Sequence, residues 1–184
     1  PHFLFNTLAL IGQLIETNSP QAASIHAALI QYLRAAMPQM RQKGSGKLGQ
    51  QVELSRAYLK IMQARMGDRL SISVDMPSEL TCAEFPSMML QTLVENSIKH
   101  GLEPKLAGGH IHIQAKVVAN DLEVEVSDDG VGFDMHADDG IGLSNIRERL
   151  NMLYGEKAQL IIEIPQEGGT KVSILLPYLA QQKA

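Results

Sequence analysis

Leu93-Val94-Glu95-Asn96-Ser97-Ile98-Lys99-His100-Gly101, Asp128-Asp129-Gly130-Val131-Gly132 and Gly140-Ile141-Gly142-Leu143 are the stretches that decide the reading of this 184-residue chain. The first offers an amide and charged side chains from one helix. The second puts a carboxylate where a strand runs into glycines, and the third is a glycine turn opening another helix. Around them, Leu70, Ile72, Val74 and Met76 alternate with polar residues, as do Ile111, Ile113, Ala115 and Val117, and Leu122, Val124 and Val126. Leu160, Ile162 and Ile164 repeat the alternation, and so do Val172, Ile174 and Leu176, which predicts five strands. Residues 86–100 read as a helix between the first two strands, with Pro86 near its start and Gly101 just past its end. A further helix over about 143–153 separates the third strand from the fourth. That order predicts an α+β sandwich with helices layered on one face of the sheet, rather than a doubly wound parallel sheet.

Upstream, Leu4, Leu8, Ile11 and Ile15 recur at helical spacing, and Thr17-Asn18-Ser19-Pro20 supplies a turn. Ala22, Ile25, Leu29, Tyr32, Leu33 and Ala36 share a face of a second helix, whose pattern weakens near Pro38. The two helices make an antiparallel hairpin whose apolar stripe needs a partner, which dimerisation into a four-helix bundle would provide. Lys43-Gly44-Ser45-Gly46-Lys47 reads as a flexible break and sets a boundary between a unit over 1–43 and one over 48–180. Val52, Leu59, Met62 and Met66 then mark a helix stopped by Gly67.

Composition excludes some functions. A formal net charge of -4 gives no reason to expect binding to a phosphate backbone, so nucleic acid is not a direct partner. The single Cys82 can form no internal disulfide, and its simplest reading is a small buried side chain. No apolar stretch approaches the length of a membrane span. The chain opens at Pro1 inside a motif, which reads as a piece of a longer protein.

Strand parity carries the sharpest local argument. Leu122, Val124 and Val126 face inward and Asp128 continues that parity, whereas Asp129 points the other way. A poorly solvated carboxylate needs a hydrogen-bond donor, and an adenine amino group is a natural one. The alternative is a turn carboxylate capping nearby backbone amides. Asn96 has a neutral carbonyl oxygen suited to Mg²⁺, and Lys99 can offset phosphate charge, unless Lys99 and His100 merely complement the end of a helix dipole. Gly130 and Gly132 let the backbone approach a ligand. Gly140 and Gly142 precede the helix at Leu143, where unpaired N–H groups attract phosphate. Residues 133–139 would form a lid, or their aspartates are solvated loop charge. Thr170 has the inward parity of Val172, so its hydroxyl either reaches the cavity of Asp128 or bonds to backbone.

His2 stands in the first helical turn after Pro1, roughly 180–240° around the helix from the Leu4 stripe. Neutral imidazole is a competent nucleophile near neutral pH, although an isolated histidine is commonly just surface.

The three opening stretches resemble the N, G1 and G2 boxes of the GHKL ATP-binding superfamily. With Pro1-His2-Phe3-Leu4-Phe5-Asn6, Tyr32-Leu33-Arg34, Gly67-Asp68-Arg69-Leu70 and residues 142–150, the chain resembles the LytS/YehU-like sensor histidine kinases along nearly its whole length. The resemblance implies a Bergerat-type sandwich with a mixed five-stranded sheet behind a hairpin for dimerisation and phosphotransfer. It implies ATP and Mg²⁺ as cofactors, with Asn96 on the metal. Asn96, Lys99, His100, Asp128, Gly130 and Gly132 would bind nucleotide, together with Gly140, Gly142, Leu143 and Thr170. His2 would be the phosphoacceptor and Glu95 a candidate base. His2 is followed by Phe3 where many histidine kinases have an acidic residue, and Asn6, one turn on, can orient an imidazole but cannot accept its proton. The implied partners are a second copy in a homodimer and the receiver domain of a response regulator, with a membrane-embedded sensor region upstream and the catalytic part in the cytoplasm. A GHKL-type ATPase and a noncatalytic ATP-binding module are the competing functions.

Overall fold

The computed structural model describes residues 2–41, 44–132 and 141–178, with the side chains of His2 and Ile141 outside the description. Helices α1 (His2–Thr17) and α2 (Ser19–Arg41) form the hairpin. Asn18 alone makes the turn: it follows the last residue of α1, and its Oδ1 accepts the Gln21 N–H at 3.2 Å as the cap of α2. The second helix runs through Pro38 to Arg41, beyond the expected weakening. Pro38 lacks the N–H that would bond the Arg34 carbonyl, but both residues are exposed, so water can take the donor's place.

The buried face of α1 is rotated from the one expected. Phe3, Thr7, Leu10, Ile11 and Leu14 turn inward with Leu4, while Leu8 and Ile15 are 48% and 58% exposed. Aromatic packing decides the rotation: the Phe3 ring lies 5.1 Å from that of Tyr32 and 4.9 Å from that of Tyr58. Thr7 can be buried because its hydroxyl donates to the Phe3 carbonyl at 2.7 Å.

The expected flexible break is partly ordered. Ser45–Lys47 is a short strand, β1, paired antiparallel with β3 (Glu84–Pro86), and Cys82 is exposed rather than buried as expected, because it lies in the turn leading into β3. Helix α3 (Leu48–Met66) follows and ends at Gly67, whose φ of 63° suits glycine. This helix serves two cores, because Ile61 packs with Ile25, Ala28 and Leu29 of the hairpin while Val52, Leu59 and Met62 pack toward the sheet. The apolar stripe of α2 is therefore covered by α3 of the same chain.

The remaining strands β2 (Leu70–Asp75), β4 (Gly109–Val118), β5 (Asp121–Asp128), β6 (Gln159–Glu163) and β7 (Thr170–Pro177) form the expected five-stranded sheet, ordered β2-β4-β5-β7-β6. It is mixed, with β2 and β4 parallel and the other pairs antiparallel. The parallel pair needs a crossover, which α4 (Met89–Asn96) and the turn after it supply. Ile111, Ile113, Leu122, Val124, Val126 and Ile174 point to one face and are buried under α3, α4 and α5 (Ile141–Tyr154). The opposite face carries ion pairs such as Lys171 with Glu125 and Glu163, at 3.2 Å each.

The helix expected over 86–100 is shorter at its start and altered at its end. Pro86 closes β3, and Met88 takes a φ of 66° before α4 begins. After Asn96 the backbone widens into a π turn over Ser97–Leu102 that contains Gly101. Such turns often mark functional sites. Arg149 of α5 ties these parts together by donating to the carbonyls of Ser87 at 2.8 Å and Gly44 at 3.1 Å.

Candidate nucleotide site

Asp128 ends β5 with Ile111 of β4 on one side and Thr170 of β7 on the other. Both Asp128 and Thr170 are buried, at 7% and 8% exposure, as the alternation of β5 and β7 requires. Burial pushes the Asp128 carboxyl above its ordinary pKa. A hydrogen bond from the Ser97 hydroxyl and one from the Gly130 N–H, the latter at 2.9 Å, oppose that rise. Asp128 thus caps a backbone amide, as one of its two readings held. A carboxylate offers about four acceptor positions, so it also has capacity for an external donor. Asp129 turns outward, and its Oδ1 accepts the His110 N–H at 2.8 Å.

Three glycines make this corner possible. A Cβ on Gly101 would lie 2.5 Å from Oδ1 of Asp128. One on Gly130 would run into the backbone of Gly101, whose carbonyl accepts the Val131 N–H at 2.9 Å. One on Gly169 would run into the carbonyl oxygen of Asp128. Gly130 therefore serves close approach between two parts of the protein, where the sequence suggested approach to a ligand. Gly132 has a φ of 88°, which favours glycine for conformational reasons. Gly101 does not stop the helix; it lets Asp128 pack against it.

A second close approach joins α4 to the start of α5. A Cβ on Gly142 would lie 3.3 Å from Nδ2 of Asn96, so the last residue of α4 abuts the first turn of α5. The first amides of a helix attract anions. The side chain of Leu143 is buried in the core, which leaves it a main-chain part in any ligand contact. Lys99 and His100 are exposed on the π turn. Gly140 and the expected lid over 133–139 lie outside the described residues.

Glu95 turns toward the hairpin. Its Oε1 accepts a hydrogen bond from Nε2 of Gln91 at 2.8 Å, and its charge acts on both Tyr32 and Tyr58. Burial first, and then this charge, raises the hydroxyl of Tyr32 to about 12 and moves that of Tyr58 in the same direction. These rings pack on Phe3, so the charge of Glu95 acts on side chains that touch the N-terminal turn of α1. Asn6 is exposed on α1, and the His2 side chain lies outside the description. The sequence motifs carry no signal for the parts played by Ser97, Gln91, Ser55 and Gly169. Gln91 could have been found from its four-residue spacing to Glu95, whereas Ser97 and Gly169 depend on contacts distant in sequence.

Residues 82–180, more than half the chain, match the family described as Histidine kinase-, DNA gyrase B-, and HSP90-like ATPase, and residues 1–70 match the Histidine kinase family. The sensor protein LytS of Oceanobacillus iheyensis is 35% identical over 97% of this chain and 33% of its own length. The sensor histidine kinase YesM of Bacillus subtilis is 33% identical over 96% of this chain and 31% of its own length. The chain thus spans about a third of the length of the curated relatives it matches. Among solved structures, the histidine kinase AdeS of Acinetobacter baumannii overlays with a TM-score of 0.56 at 15% identity, covering 99% of both chains. The histidine kinase domain of a blue-light activated kinase from Erythrobacter litoralis gives 0.56 at 18% identity, covering 96% of this chain and 86% of that one. These overlays show the fold. Matches in both halves of the chain, in the order hairpin then sandwich, place it in the sensor histidine kinase family, with a GHKL-type nucleotide-binding domain as its second half.

Proposed function

We propose that the chain is the catalytic portion of a two-component sensor histidine kinase, with residues 1–43 supplying the phosphoacceptor hairpin and residues 48–180 binding Mg-ATP. The observations that support this are the buried Asp128–Thr170 pair and the close approach of Asn96 to Gly142, which the reading makes the two ends of one nucleotide site. An adenine amino group answers the remaining acceptor capacity of Asp128, with Thr170 bonding the base directly or through a water. The phosphates lie toward the first turn of α5, helped by Lys99 and His100 from the π turn and by the amide of Gly132 and those of residues 140–143. Among the described residues no group of three or more His, Cys, Asp or Glu could hold a metal. A Mg²⁺ ion held by the carbonyl oxygen of Asn96 would therefore complete its shell with phosphate oxygens and water, neutralising charge there.

In the reaction, an imidazole nitrogen of His2 attacks the γ-phosphorus. The N–P bond forms as the bond to the bridging oxygen breaks, and ADP leaves. The imidazole proton passes to a base, for which Glu95 is the candidate because its charge acts on the tyrosines packed on Phe3, while Asn6 orients the ring. The phosphoryl group then moves to an aspartate on a response regulator. A second copy fits the hairpin, since Phe5, Leu8 and Ile15 of α1 and Met37 of α2 are exposed large apolar side chains. Attachment to a bacterial inner membrane through a sensor region elsewhere in the full-length protein, with this portion in the cytoplasm, belongs to the same reading. Among the described residues no helix is long and apolar enough to cross a membrane.

Radiolabelled ATP tests the proposal. The expected result is acid-labile, base-stable label on the protein that His2→Gln abolishes while nucleotide affinity is kept. Release of free phosphate without label would contradict it in favour of an ATPase, and neither product would leave a binding module.

A further inference from the structure

We propose that Gln91 and Ser55 are positioning residues that hold the carboxylate of Glu95 for phosphoryl transfer, an inference that rests on the kinase reading above. Gln91 is 1% exposed on α4, and Nε2 donates to Oε1 of Glu95 at 2.8 Å. Its own Oε1 accepts from the hydroxyl of Ser55 on α3 at 3.2 Å, and Ser55 is fully buried.

The three side chains form a directed relay. Facing a carboxylate, the Gln91 amide must present its NH₂ group, because its carbonyl oxygen there would oppose a negative charge. The carbonyl then faces Ser55, which can answer by donating. A glutamate half-buried on a helix samples several rotamers, and bonding to an amide locked in the core selects one of them. Gln91 is uncharged, so it orients the carboxylate through hydrogen-bond geometry alone.

Core stability alone does not call for this arrangement. A buried amide and hydroxyl between two helices could be replaced by apolar side chains of similar volume with little loss, whereas a polar relay specifies one geometry. The relay leads somewhere functional. It starts on α3, which packs against the hairpin, and ends at Glu95, whose charge reaches Tyr32 and Tyr58 around Phe3, the neighbour of His2.

The test measures single-turnover histidine phosphorylation in the full-length protein at saturating Mg-ATP, with nucleotide affinity measured separately. Gln91→Met keeps the volume and removes the relay, and should slow phosphorylation roughly 10- to 100-fold, the scale on which misplacing a reacting group acts. Affinity for ATP should change by less than about twofold, because Gln91 touches no part of the nucleotide site. Combined with Glu95→Gln, the same substitution should change the rate by less than about twofold, since nothing is left to orient. Ser55→Ala should act in the same direction but more weakly, and it serves as the test if Gln91→Met does not fold. An unchanged rate in these variants, or an equal loss with and without Glu95, would overturn the proposal. A wild-type protein that takes no label would contradict the kinase reading itself.

Discussion

Asp128 and Thr170 sit directly opposite each other across β5 and β7, both buried, at the point where both strands meet the glycine segments. Neither side chain is placed there by core packing, since each follows its strand's alternation one step past the apolar residues Val126 and Val172. The result is a carboxylate and a hydroxyl held side by side in a poorly solvated corner, an arrangement suited to one polar ligand edge.

The buried carboxylate should leave a signature in stability against pH. Because burial raises the folded-state pKa of Asp128, the folded protein binds its proton more tightly than the unfolded chain does. Its contribution is thus most favourable below the unfolded value of about 4 and is lost as pH rises through the higher folded value. Asp128→Asn removes this dependence and can still accept the Gly130 N–H. Thermal melts without nucleotide should therefore show the variant at least as stable as wild type at pH 7, with the difference shrinking toward pH 4. A variant markedly less stable at neutral pH would show that the charge is better solvated than its burial indicates.

Gly101→Ala should be costly although it adds only one methyl group. The new Cβ would meet Oδ1 of Asp128 at 2.5 Å, and the carboxylate cannot retreat without losing its bonds to Ser97 and Gly130. A loss of about 1–3 kcal/mol by chemical denaturation is expected, with weakened ATP binding. Gly12→Ala is the control, because nothing lies within 4 Å of its Cβ in α1 and alanine favours a helix. A Gly101→Ala protein as stable as the control would refute the close packing.

The apolar side of α1 left open by its rotation predicts where copies meet. Leu8→Glu together with Ile15→Glu should convert a dimer to monomers in light scattering while the helical content of each chain is kept. A dimer that persists would move the interface elsewhere.

How much of this was legible in the sequence depends on the range of the interactions. Alternation of period two sufficed for the five strands and for the inward turn of Asp128, because strand parity is local. The rotation of α1 was not legible. Leu4, Leu8, Ile11 and Ile15 form one helical stripe and Phe3, Thr7, Leu10 and Leu14 another, and the choice between them rests on Tyr32 and Tyr58 arriving from other helices. Strand β1 escaped notice because Ser45-Gly46-Lys47 has no apolar alternation and pairs through its main chain. Gly101 has the position of a helix stop, and its actual part is visible only once Asp128, distant in sequence, is placed against it.

The most direct measurement for the central claim is isothermal titration calorimetry of Mg-ATP into the wild-type protein and into Asp128→Asn. Removing a charged hydrogen bond to the base predicts a loss of about 2–3 kcal/mol, or roughly 30- to 150-fold in affinity. Equal affinities for the two proteins, or no heat from the wild type, would contradict the account.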